Sequence, residues 1–175
     1  MERKETKATP TLGRRMLRWG SELLGLLLVL LLVHLWQTRD LVVGDAPALV
    51  GETLAGENFD LSVVGNRPVL IHFWATWCPV CGLEADSIES LSQAYPVITV
   101  AMQSGSAQEV REHLQARDLD FSTINDPDGR IATAWHVKGL PTSYIVDKDM
   151  KIRFVTVGYT PELTLRLRLW LSEHS

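Results

Sequence analysis

The chain holds two cysteines, and both fall in one stretch, Cys78-Pro79-Val80-Cys81. Two thiols at this spacing can cycle between a dithiol and a disulfide. An apolar run, Pro68 to Trp74 (PVLIHFW), ends just before them and reads as a strand buried on both faces. The segment from Pro79 reads as a helix, so Cys78 stands at a helix N-terminus. Free N–H groups and the positive dipole end there stabilise a thiolate, lowering its pKa below the free value of about 8.5. Cys81 lies one turn on, close enough to attack a mixed disulfide at Cys78. The spacing therefore predicts an exposed nucleophile and a shielded resolving thiol.

Other uses of the pair compete with this one. A zinc site needs four ligands, but no second cysteine pair exists and His72, His113 and His136 are scattered. Gly82 rather than histidine follows Cys81, which argues against haem attachment. A purely structural disulfide across so short a loop constrains the unfolded chain little. Two soft thiolates can hold Cu(I) in a non-catalytic binding module, although no methionine or cysteine cluster adjoins them.

The elements around the pair alternate. Pro79 to Tyr95 reads as a helix with Leu83, Ile88, Leu91 and Ala94 near its inner face. Val97 to Met102 reads as a second buried strand, and Ala107 to Arg117 as an amphipathic helix resting on Val110 and Leu114. Asn125 to Gly129 is turn chemistry, followed by a short helix over 130–136. Ser143 to Val146 and Ile152 to Val157 read as strands, and Pro161 opens a last helix through Leu171. Ala48 to Val50 and Asn58 to Ser62 predict a small hairpin at the start. The order implies an α/β sandwich with a mixed sheet.

The 175 residues carry a net charge of −4, unevenly spread. Residues 1–18 hold six basic and two acidic side chains, a net +4, which leaves −8 on the remainder. An acidic body of this kind excludes nucleic-acid binding as a primary role. Leu23 to Val33 has no polar side chain, and Trp19 and Trp36 flank it 18 residues end to end. As a helix that stretch spans about 27 Å, close to a bilayer's hydrocarbon core. The basic excess before it places the N-terminus in the cytoplasm. A cleaved signal peptide is the competing reading, but bulky His34-Leu35-Trp36-Gln37 follows the apolar run where small residues are needed. The expected organisation is a cytoplasmic tail over 1–18, a signal anchor over 19–36, a linker over 37–45 and one domain over 46–175. In a bacterium the domain then faces the periplasm from the inner membrane, a compartment that permits disulfide chemistry.

Phe73-Trp74-Ala75-Thr76-Trp77-Cys78-Pro79-Val80-Cys81, with Gly139-Leu140-Pro141-Thr142 downstream, resembles the thioredoxin superfamily. More narrowly it is similar to the membrane-tethered TlpA/ResA/CcmG group. Within that group the Trp-Cys-Pro-Val-Cys centre looks most like the suppressor-for-copper-sensitivity protein D branch. The resemblance covers about Gly44 to Leu171. It implies a thioredoxin-like fold, a central mixed sheet flanked by helices with an extra N-terminal β-hairpin, here preceded by a transmembrane helix. It implies Cys78 as nucleophile and Cys81 as resolving thiol in a protein disulfide oxidoreductase whose only redox group is that pair, with no cofactor and no metal. Pro141 matches the family's cis-proline, which turns the Leu140 backbone toward a bound substrate chain, and Trp77 caps the site. Glu84 stands where relatives place an acid near the thiols, either as a proton relay for Cys81 or as an inert solvated residue. His72 replaces a buried acid of thioredoxin, either titrating near neutral pH or packed as a hydrogen-bonded core residue. Met150 departs from the glycine common in the last strand-to-strand turn. The implied partners are protein thiols and disulfides and a membrane electron donor. The direction implied is reducing, and a thiol reductant for cytochrome c maturation is the narrower alternative.

Overall fold

The structure is a computed structural model that describes Trp19, Glu22, residues 24–29 and residues 44–174. The chain divides into two units, Met1–Arg39 and Asp40–Ser175. In the first unit the described residues are helical and exposed. Among the described residues no helix is long and apolar enough to cross a membrane. The basic tip over 1–18, most of the expected span over 19–36, and residues 37–43 lie outside the described residues.

Among its described residues the second unit holds eight strands and four α-helices. They are β1 (Gly44–Asp45), β2 (Val50–Glu52), β3 (Asn58–Asp60), β4 (Val69–Trp74), α1 (Pro79–Ser92), β5 (Val97–Met102), α2 (Ala107–Gln115), β6 (Thr123–Asp126), α3 (Arg130–Ala134), β7 (Thr142–Val146), β8 (Lys151–Val157) and α4 (Glu162–Glu173). Six strands form one sheet in the order β1-β8-β7-β4-β5-β6, and β2 and β3 form a separate hairpin. β4, β5 and β6 run parallel, while β7, β8 and β1 run antiparallel. All six residues of β4 are buried, as a central strand with both faces covered requires.

Strand alternation then builds two cores. Leu70 and Trp74 of β4 face the side covered by α1 (Ile88, Leu91), α2 (Val110, Leu114) and α4 (Leu165, Leu169). Val69, Ile71 and Phe73 face the other side, with Leu49, Leu61, Ala132 and Trp135. There Phe73, Trp135 and Tyr144 form an aromatic trio with ring centroids 5.0–5.9 Å apart.

Several expectations change. Leu83 is not on the inner face of α1: it is 74% exposed, and Ala94 lies beyond the end of the helix. The buried face is instead Cys81, Glu84, Ala85, Ile88 and Leu91, the spacing of one helical stripe. Asn125 and Asp126 belong to β6, not to the turn. Asp126 is buried, and its carboxylate accepts from Ile131 N–H (3.2 Å) and Ala132 N–H (2.9 Å), so it caps α3 from the end of a strand. Gly44 and Asp45, expected in the linker, pair with Ile152 and Lys151. The hairpin pairs Val50–Glu52 with Asn58–Asp60, and Asp60 then caps a short 3₁₀ turn over 61–63. Met150 adopts a φ of 59°, so the turn keeps the left-handed position that glycine would fill without strain.

Candidate active site

Cys78 is the N-cap of α1, held extended at φ −95°, ψ 107°, with Pro79 in the first helical position. Its sulfur accepts from the Cys81 N–H at 3.2 Å, so it occupies one of the free donor positions of the helix start. Cys78 and Cys81 form a disulfide with Cα atoms 5.3 Å apart. Both are largely buried, Cys78 at 9% exposure and Cys81 at 4%. The predicted contrast between an exposed and a shielded sulfur is thus small in the disulfide form.

The loop that delivers Cys78 is pinned to the end of β5. Thr76 N–H donates to Ser104 Oγ (3.0 Å), and the Trp77 indole donates to the Gln103 carbonyl (2.9 Å). Trp77 is 59% exposed, so it stands over the loop rather than packing in the core. The Leu140–Pro141 peptide bond is cis. Leu140 is half-buried against the core cluster that contains both cysteines. Pro141 is buried, and its carbonyl accepts from Gly158 N–H at 2.8 Å.

Glu84 is 1% exposed, which overturns the solvated alternative. One carboxylate oxygen accepts from Thr160 N–H (3.2 Å), and the other has no hydrogen-bond partner. Burial pushes its pKa up to about 7, partly opposed by the Thr160 hydrogen bond. His72 is buried on β4, with Nδ1 2.9 Å from Ser143 Oγ. Burial pulls its pKa down to about 3, so it is a neutral hydrogen-bonded core histidine and does not titrate near neutral pH.

A cavity of about 20 Å³ lies behind the disulfide, lined among others by His72, Trp74, Cys78, Cys81, His113 and Arg117. That volume admits about one water molecule. The structure therefore brings His72 and both cysteines together around one cavity. Glu84 is not among the residues lining it and meets the Thr160 loop instead. Sequence reasoning missed His113 and Arg117 at this site. Nothing local marks them, because the fold brings them from the end of α2 to the start of α1. Among the described residues no cluster of three or more His, Cys, Asp or Glu is placed to hold a metal.

The arrangement joins a redox-active pair at a helix start to a cis-proline loop, on a mixed sheet. Comparison with known proteins agrees with it. Residues 42–155 match the model of the AhpC/TSA family. A thioredoxin-like protein of Haemophilus influenzae is 32% identical over 162 residues, covering 91% of this chain and 96% of that protein. The thiol-disulfide oxidoreductase ResA of Bacillus thuringiensis is 31% identical over 112 residues, covering 62% of this chain and 65% of its own length. Among solved structures, StoA from Bacillus subtilis superposes with a TM-score of 0.62 at 23% identity, over 70% of this chain and 96% of that one. With the fold, the cysteine pair and these likenesses in agreement, the chain belongs to the AhpC/TSA family.

Proposed function

We propose that the chain is a membrane-tethered thiol–disulfide oxidoreductase that reduces protein disulfides in the periplasm. It is a protein disulfide oxidoreductase, and its own cysteine pair carries the two electrons. The observation that carries this reading is the Cys78–Cys81 pair at the start of α1, with Cys78 on the free N–H groups of the helix. The names of relatives such as ResA support it.

In the reducing direction the Cys78 thiolate attacks a sulfur of the substrate's disulfide. The substrate's S–S bond breaks and a mixed disulfide forms. Cys81 loses its proton and attacks the Cys78 sulfur, which closes the internal disulfide and releases the substrate as a dithiol. Trp77, Leu140 and Pro141 contact the substrate chain. Glu84 is the candidate to take and return the Cys81 proton, since a carboxyl with a pKa of about 7 is poised for transfer at neutral pH. His72, neutral throughout that range, holds Ser143 and does not relay protons. A membrane electron donor returns the pair to the dithiol.

The tether rests on the sequence: the apolar stretch between Trp19 and Trp36 with a basic segment before it. That orientation puts the N-terminus in the cytoplasm and the domain in the periplasm. The Trp77-Cys78-Pro79-Val80-Cys81 centre supports assignment to the suppressor-for-copper-sensitivity protein D branch. Insulin-disulfide reduction driven by a dithiol reagent tests the activity. The Cys78→Ser variant is expected to lose it, and exchange at the wild-type rate in that variant sinks the reading.

A further inference from the structure

We propose that Arg117 is a positioning residue for the thiol chemistry: seated against Gly82, its guanidinium fixes a positive charge beside Cys81 and favours the Cys81 thiolate. The proposal rests on the reading that Cys78 and Cys81 are the exchanging pair.

The seat is built from two features. The guanidinium Nη2 donates to the Gly82 carbonyl at 2.7 Å, which ties the turn after α2 to the first turn of α1. The guanidinium also lies where a side chain at residue 82 would start: a Cβ there would come 2.8 Å from Nη1. Glycine is a poor helix former. A side chain at this position, directly after Cys81, would have to push the guanidinium aside. Arg117, Cys78 and Cys81 all line the cavity behind the disulfide.

Other ionisable groups face α1 from its neighbours. His72 of β4 is neutral, and His113 of α2 is held toward the neutral form by burial and by Arg117 itself. On α1, Glu84 bonds Thr160, and Glu89, further along, accepts from Asp120 and Phe121 N–H groups. From α4, Glu162 and Arg166 pair with each other beside Ser90. Arginine keeps its charge at every working pH. Arg117 is therefore the permanent cation at the cavity. It is exposed, so solvent screens its field and the effect is modest.

A nearby cation stabilises a thiolate and not a thiol. It therefore lowers the Cys81 pKa, and it stabilises the reduced protein only once Cys81 ionises. The redox readout is reduction by glutathione: two glutathione thiols supply two electrons and two protons, the Cys78–Cys81 bond breaks, and glutathione disulfide forms.

Full-length protein in detergent tests this, using the alkylation rate of Cys81 against pH in a Cys78→Ser background. Arg117→Gln is expected to raise the Cys81 pKa by about half a unit, a threefold fall in thiolate below that pKa. Arg117→Lys is expected to restore most of it. Gly82→Ala leaves the arginine in the chain but displaces it, so it is expected to raise the pKa by the same amount without lowering the melting temperature. The two changes together are expected to do no more than either alone. In the two-cysteine protein, Arg117→Gln is expected to match wild type against glutathione at pH 6 and to be less reduced above the Cys81 pKa. An unchanged Cys81 pKa in both Arg117→Gln and Gly82→Ala overturns the proposal. A wild type that fails to exchange disulfides overturns the functional reading instead, and the alkylation profile still decides the role of Arg117.

Discussion

Glu84 and His72 are both buried, and burial favours the neutral form of each. The consequences for stability run in opposite directions with pH. Glu84 has a pKa of about 7 in the folded protein against 4.5 for the free group. The folded state holds the proton longer, so its contribution is full below 4.5 and is lost as pH rises through 7. The loss is about 3 kcal/mol at most. His72 has a pKa of about 3 against 6.5. The unfolded state takes up that proton first, so its contribution is full above 6.5 and is lost as pH falls toward 3. Between 4.5 and 6.5 the two slopes cancel. Thermal melts of the wild type are therefore expected to rise only slightly across that window, through His113, whose pKa burial and Arg117 also lower. In Glu84→Gln the melting temperature is expected to climb from pH 4.5 to 6.5, because the histidine slope is left alone. A flat Glu84→Gln profile contradicts the assignment. The core reading of His72 was among the sequence's alternatives and holds, whereas Glu84, three residues after Cys81, reads there equally as a relay or as a surface acid. Its hydrogen bond comes from Thr160, 76 positions away.

Helix α1 carries the site, and its inner face fixes where the cysteines sit. Ile88 is fully buried, while Leu83 is 74% exposed. Ile88→Ala is expected to cost about 2–5 kcal/mol by cavity formation, and Leu83→Ala less than about 0.5 kcal/mol. Denaturant titration of the two variants checks this, and similar costs would contradict the observed face. A smaller test lies on α2, where Ser106 and Glu109 form a reciprocal capping box. Ser106→Ala is expected to cost about 1 kcal/mol, with exchange activity unchanged. The elements that run deepest were the easiest to read. β5 spans Val97–Met102 as its apolar run predicts, and β4 differs from its run by one residue. β6 was hidden because Asn125 and Asp126 carry turn chemistry, yet parallel pairing with β5 holds them in the sheet. Leu83 was misread because apolarity alone does not tell an inner leucine from one on the exposed face of a helix.

At the scale of the molecule, the net charge of −4 is the sum over two different segments. The first 36 residues supply the basic tip and the apolar stretch, and the rest supply an acidic redox domain. If the stretch between Trp19 and Trp36 anchors the chain, full-length protein is expected in the membrane fraction, resistant to carbonate extraction. A chain starting at Gln37 behind a secretion signal is expected to be released as soluble periplasmic protein. Recovery of the full-length chain in the soluble fraction contradicts the anchor. The domain was legible because the cysteine pair, the strand before it and the Gly139 to Thr142 motif are continuous in sequence. The cavity was not, because α2, β4 and α1 meet there only after folding. The central claim is that Cys78 attacks the substrate and Cys81 resolves. Its most direct test is a Cys81→Ala protein reacted with a disulfide-bonded substrate and digested without reduction, followed by peptide mass spectrometry. A mixed disulfide accumulating on Cys78 is the predicted result. No adduct at Cys78, with a substrate dithiol still released at the wild-type rate, would contradict the account.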